Sequence, residues 1–200
     1  AAADVLAAAS HIRHRHPALP APVVVGYSMG SITAMFTVQQ HPAAFSKLVL
    51  YGFPVDPAGV QLRAHEPDAA APARAATTAA AAGEDFVVAG AAPKAVVDAY
   101  VAQAVAADPV RVDWKDLEEF RLVPAKVTTP TLLLQGVGDG YVQPEAVASL
   151  FNRLGTPDRS WVVLPDSDHA AHVEDAMPAW VAAIVHFIER PRPGLASPLS

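Results

Sequence analysis

Pro22-Val23-Val24-Val25-Gly26-Tyr27-Ser28-Met29-Gly30-Ser31-Ile32-Thr33-Ala34-Met35-Phe36 is an apolar run, then a serine set between glycines, then a helix-like segment. Three consecutive valines predict a strand buried on both faces, as a parallel sheet requires. Ile32, Met35 and Phe36 fall on one stripe of a helix predicted over Ser31–Gln40, which His41-Pro42 ends. A serine at so sharp a strand-to-helix turn takes strained backbone angles. Gly26 and Gly30 then let neighbouring backbone approach without a Cβ clash, and the hydroxyl projects clear of the sheet. The helix start points backbone N–H groups, that of Met29 among them, at any anion formed there. Taken alone, Gly26-Tyr27-Ser28-Met29-Gly30 is equally the pattern of a plain turn. Its place between strand and helix is what makes Ser28 a candidate nucleophile.

Composition bounds the rest. The 200 residues are 52% hydrophobic and 17% charged, with mean hydropathy +0.24, which suits a globular chain with a substantial core. Fourteen basic and 20 acidic residues give a net charge of -6 without a basic patch, so neither nucleic acid nor an anionic membrane is an expected partner. No apolar stretch has the length of a membrane span. The absence of cysteine excludes disulfides, thiolate metal sites and a cysteine nucleophile, and the cytoplasm is the default compartment. His11, His14 and His16 end an alanine-rich helix predicted from Asp4 to Arg15; with no carboxylate beside them they read as last-turn residues facing the helix dipole. No metal or cofactor is expected.

Along the chain, Lys47–Gly52 is a second buried strand and leads into Phe53-Pro54-Val55-Asp56-Pro57. From Val60 to Phe120 the sequence is alanine-rich, with breaks at Pro67, Pro72, Gly83, Pro93 and Pro109, and reads as a helical insertion. Pro93–Ala107 is its clearest helix, and Val112–Leu117 resumes the pattern. Phe86, Tyr100, Trp114 and Phe120 read as packing aromatics, with pocket lining as the alternative. A third strand, Pro130–Gln135, runs into Gly136-Val137-Gly138-Asp139-Gly140 and a helix from Pro144 to Leu154. A fourth, Ser160–Leu164, runs into Pro165-Asp166-Ser167-Asp168-His169 and a last helix from Val173 to Glu189. The division is a core with the serine turn over 1–59, an insertion over 60–120, a second part of the core over 121–190 and a flexible tail over 191–200.

Ligands bind at the carboxyl ends of strands in open α/β sheets, so Ser28, Asp139 and His169 are expected at one edge. Serine needs a base at neutral pH, imidazole suits that task, and a carboxylate fixes the imidazole tautomer. Asp56 is the alternative acid. His172 is the alternative base, less favoured because it reads as the start of the last helix with Glu174 in its first turn; His41, His65 and His186 read as element ends or surface positions.

With these residues in hand the chain resembles the α/β-hydrolase fold superfamily. Gly26-Tyr27-Ser28-Met29-Gly30 looks like its nucleophile elbow, Gly136-Val137-Gly138-Asp139 like its acid loop, and Asp168-His169-Ala170-Ala171-His172-Val173-Glu174 like its histidine loop. Asp168 stands where glycine is more usual, and Ser31 where glycine often follows the elbow. The resemblance implies an α/β fold with a mostly parallel sheet flanked by helices, and places 60–120 where the variable cap lies. It implies a serine hydrolase of small ester-like substrates acting through an acyl-enzyme, with Ser28, Asp139 and His169 as triad and the Met29 N–H in the oxyanion hole. An acyltransferase, a cofactor-free haloperoxidase-like enzyme and a non-catalytic binding protein are the alternatives. Family members carry further strands and a second oxyanion donor before the elbow strand. The resemblance therefore implies a missing N-terminal segment or a partner chain, without which the chain is expected to be weakly active or inactive.

Overall fold

The computed structural model describes residues 1–55, 73–113 and 121–191. Four parallel strands form the main sheet in the order β1 (Val23–Tyr27), β2 (Lys47–Tyr51), β5 (Thr131–Gly136), β6 (Arg159–Leu164). Tyr27 pairs with Tyr51, Tyr51 with Leu134, and Gly136 with Leu164, so the carboxyl ends of all four strands share one edge.

Side-chain alternation divides the core into two layers. Leu48, Leu50 and Leu133 face α1 (Ala2–Arg15), α2 (Met29–Gln40) and α5 (Pro144–Arg153), while Val49, Tyr51, Leu132 and Leu134 face α6 (Met177–Glu189). A parallel strand covered on both sides must be apolar throughout, and all of β2 and β5 is buried. Lys47 is buried too, because its ammonium donates to the Phe187, Ile188 and Arg190 carbonyls at 2.6, 2.7 and 3.0 Å and so caps the end of α6.

The expectation that β1 is buried on both faces is corrected: Val25 is 45% exposed and Val23 and Val24 are only half-buried. The reason is position, since among the described residues β1 is an edge strand paired with β2 alone. The stripe expected on α2 is broader than the sequence suggests. Ser31 through Val38 are all buried, because α2 is enclosed by the sheet and α1.

Between β2 and β5 the described residues contain α3 (Ala79–Gly83) and α4 (Lys94–Ala107), and also an antiparallel ribbon of β3 (Ala73–Ala76) with β4 (Val110–Asp113). Val112 and Asp113 are therefore strand, not resumed helix. Asp56, His65, Trp114, Phe120 and residues 192–200 lie outside the described residues. The last helix starts at Met177, with Pro178 in its first turn, and Ala171–Val173 is a separate 3-10 turn. No helix among the described residues is long and apolar enough to cross a membrane.

Candidate active site

Ser28 sits between β1 and α2 with φ 51° and ψ -125°, a conformation that L-residues rarely hold. Its amide donates to the Tyr51 carbonyl at 2.9 Å, and its own carbonyl accepts the Ser31 amide at 2.9 Å and the Ser31 hydroxyl. Ser31, in place of the usual glycine, thus ties the turn from within the helix. The two glycines do not share a role. A Cβ on Gly26 would lie 2.5 Å from the Ser31 Cα and 2.7 Å from the Gly30 carbonyl oxygen, whereas one on Gly30 meets nothing within 4 Å. Close approach is needed at Gly26 alone.

The loops after β5 and β6 bring together Asp139 and His169, the residues expected as acid and base. His169 Nδ1 and Asp139 Oδ2 are 2.9 Å apart, and both side chains are almost fully buried. A carboxylate at that distance holds the imidazole proton on Nδ1 and leaves the Nε2 lone pair as acceptor. Asp139 is fixed in turn by the Tyr141 amide, which donates to Oδ1 at 3.0 Å, and Gln135 braces the loop by donating to the Val142 carbonyl at 3.1 Å. Ser28, Met29, Gly30 and His169 line a cavity of about 480 Å³, and Asp139 stands behind the imidazole. The opposite wall is formed by the insertion, including Ala82, Glu84, Asp85, Tyr100 and Asp108. Tyr100 both packs edge-on against Phe86 and lines the cavity. It donates to Asp85 at 2.7 Å, and burial with that carboxylate raises its hydroxyl to about 12.

His172 has a different setting. Its Nδ1 is buried without a hydrogen-bond partner, the ring lies 4.6 Å from Tyr27, and burial together with His169 lowers its pKa. Among the described residues a carboxylate pairs with His169 and none with His172. His11, His14, His16, His41 and His186 are exposed. Among the described residues no three histidine, aspartate or glutamate side chains are grouped as metal ligands.

Four residues around His169 went unrecognised in the sequence. Gly52, at φ 58°, follows β2 directly beneath the imidazole: a Cβ there would lie 2.8 Å from His169 Cε1 and 2.9 Å from Nδ1. Tyr51 is fully buried, and its hydroxyl donates to the Asp168 carbonyl at 2.9 Å and accepts the Ala171 amide at 2.7 Å. Asp168 and Glu174 form a buried acid pair. Burial pushes both up. Asp168 is nonetheless held below its ordinary value by Glu174 and by the Val88, Ala170 and Val87 amides, while Glu174, facing Asp168, rises to about 8. The only signal in the sequence was an aspartate where the resemblance leads one to expect glycine.

The profile of the family described as serine aminopeptidase, S33, matches residues 1–176. No curated protein matches the chain in sequence. Among solved structures, an esterase from Exiguobacterium antarcticum is similar at TM-score 0.65 and 16% identity, over 94% of this chain and 72% of that one. A monoacylglycerol lipase from Paleococcus ferrophilus gives TM-score 0.60 and 13% identity, over 94% and 75%. A 2-hydroxy-6-oxo-6-phenylhexa-2,4-dienoate hydrolase from Rhodococcus gives 0.56 and 18%, over 88% and 66%. At these identities the likeness is one of fold, and the chain spans roughly two thirds to three quarters of each relative's length.

Proposed function

The chain belongs to the serine aminopeptidase, S33 family of α/β hydrolases, and from that premise we propose that it is a serine hydrolase of small, uncharged carboxylic esters. Ser28 Oγ attacks the carbonyl carbon as His169 Nε2 takes its proton. The Met29 N–H at the start of α2 stabilises the oxyanion, and collapse of the tetrahedral species expels the alcohol with the proton returned from His169. Water, deprotonated by the same imidazole, then releases the acid. Asp139 keeps the ring in the required tautomer. Residues 73–113 act as the cap that bounds the substrate.

The observation that carries this reading is the buried 2.9 Å contact of His169 Nδ1 with Asp139 Oδ2, behind a cavity that also holds Ser28 on its strained turn. The size of the cavity suits a short acyl group, and Glu84, Asp85 and Asp108 on its wall disfavour an anionic one. Stopped-flow release of p-nitrophenol from p-nitrophenyl acetate and from its monosuccinate analogue tests it. A burst equal to one Ser28 equivalent is expected with the acetate, with slower turnover of the succinate and no burst in Ser28→Ala. Equal hydrolysis by Ser28→Ala would overturn the assignment.

A further inference from the structure

Asp168 is fully buried and carries a net charge, an expensive combination unless the charge is bonded on every side. Its Oδ2 accepts the Val87 and Val88 amides at 2.6 and 2.8 Å, and its Oδ1 accepts the Ala170 amide at 3.0 Å. Its own amide donates to Glu174 at 3.2 Å, and its own carbonyl accepts the Tyr51 hydroxyl, which also takes the Ala171 amide. Residues 168, 170 and 171 are thus pinned around His169. The same carboxylate holds Val87 and Val88, which lie one residue beyond the cavity wall at Glu84 and Asp85.

We propose that Asp168 is a positioning residue that fastens the cavity wall to the histidine loop, so that His169 and the wall facing the substrate are set as one unit. A glycine would leave the loop its turn but remove the acceptor of the Val87 and Val88 amides, so that the Asp175 amide on the Ala91 carbonyl at 2.8 Å would be the nearest remaining backbone tie. Oδ2 serves the wall and Oδ1 serves the loop, so a displacement of either segment is passed through one rigid carboxylate to the other. The Tyr51 hydroxyl and Glu174 hold the Asp168 main chain, so that its carboxylate does not follow the wall alone. Such a link makes the imidazole geometry depend on how the substrate fills the cavity, which a purely structural ion would not do. This rests on the reading of His169 as the base.

The test compares Asp168→Ala, Asp168→Asn and Tyr51→Phe in the whole chain by hydrogen exchange of the peptides spanning 84–92 and 168–174, and by turnover of p-nitrophenyl acetate and hexanoate. Asp168→Ala is expected to speed exchange at least tenfold in both peptides together while β5 stays protected. It is expected to lower kcat on both esters at least tenfold and to raise KM for the hexanoate more than for the acetate. Asp168→Asn, which keeps an acceptor for the wall, is expected to recover protection of 84–92 and part of the hexanoate KM. Tyr51→Phe is expected to lower kcat with KM unchanged, and it decides the question even where Asp168→Ala does not fold. Faster exchange in one peptide only, or kcat and KM within twofold of the parent in folded variants, overturns the proposal. A parent chain that hydrolyses neither ester matches the weak activity expected of the chain alone, and the exchange result then decides the link by itself.

Discussion

Replacing Gly52 with alanine sets a methyl group against the imidazole. The added Cβ would stand 2.8 Å from His169 Cε1, 2.9 Å from Nδ1 and 3.5 Å from Asp139 Oδ2, where ordinary contact begins near 3.4 Å. The ring must therefore retreat by about 0.5 to 0.6 Å, since Tyr27 and Tyr141 at 5.0 and 4.8 Å leave it no wider berth. The 2.9 Å contact with Asp139 stretches towards about 3.4 Å, past a useful hydrogen bond. An ångström of misplacement costs about a hundredfold in rate, and losing the orienting carboxylate costs up to about 10⁴. A fall of about 10²-fold in the rate of Ser28 acylation is the expected result. The left-handed φ of 58° adds about 1 to 2 kcal/mol of strain for alanine, and the clash about 1 kcal/mol more, so stability falls by about 2 to 3 kcal/mol. That corresponds to a drop in Tm of about 4 to 12 °C. Acylation by a p-nitrophenyl ester, followed at a temperature where circular dichroism shows both proteins folded, separates the two effects. An acylation rate within threefold of the parent would refute the placement of the imidazole over Gly52.

Gly26→Ala is expected to lose about 3 kcal/mol or more, because the obstructing atoms are backbone, whereas Gly30→Ala should keep the parent Tm within about 2 °C; equal Tm values in the two variants would contradict the asymmetry. Lys47→Met leaves three carbonyls at the end of α6 without their donor, and urea unfolding should show a loss of about 3 kcal/mol. A loss below 0.5 kcal/mol on the same urea scale would mean that the cap is ornamental. Glu174 holds a proton up to about pH 8 in the fold but only to its ordinary 4.5 when unfolded, so its contribution is complete below pH 4.5 and drains away as pH rises to 8. At about 1.4 kcal/mol per pH unit the ceiling is about 5 kcal/mol; Asp168, shifted the opposite way, matters only below about pH 4. Glu174→Gln, which keeps a donor for Asp168, should therefore match the parent Tm at pH 4.5 and exceed it at pH 8.5, and a constant difference would count against the buried acid pair.

The strands and the loops that follow them were legible because parallel strands buried on both faces must be written in unbroken apolar runs, as Leu48–Tyr51 and Leu132–Leu134 are. The turn holding Ser28 was legible for a related reason: a serine placed between such a run and a helix has few other uses. The exposure of Val25 was not, since three valines read the same in an edge strand as in a central one. The β3 and β4 ribbon joins stretches far apart in sequence, and β3 is alanine-rich with a local preference that is helical, so tertiary pairing with β4 decides it. Glu174 was hidden by its neighbourhood. Beside a helix start it reads as a residue facing the dipole, whereas the 3-10 turn at Ala171–Val173 folds it back onto Asp168. Gly52 was read as the end of a strand, and neither its positive φ nor the imidazole packed against it shows in the sequence.

Incubation of the chain with a fluorophosphonate, followed by intact mass and peptide mapping, bears most directly on Ser28 as a nucleophile activated by His169 and Asp139. One adduct per chain on the peptide containing Ser28 is expected, absent in Ser28→Ala and formed at least a hundredfold more slowly in His169→Ala and Asp139→Asn. An adduct that persists in Ser28→Ala would contradict it, and no adduct even when N-terminal strands of the fold are supplied would contradict it and favour a binding protein built on the same fold.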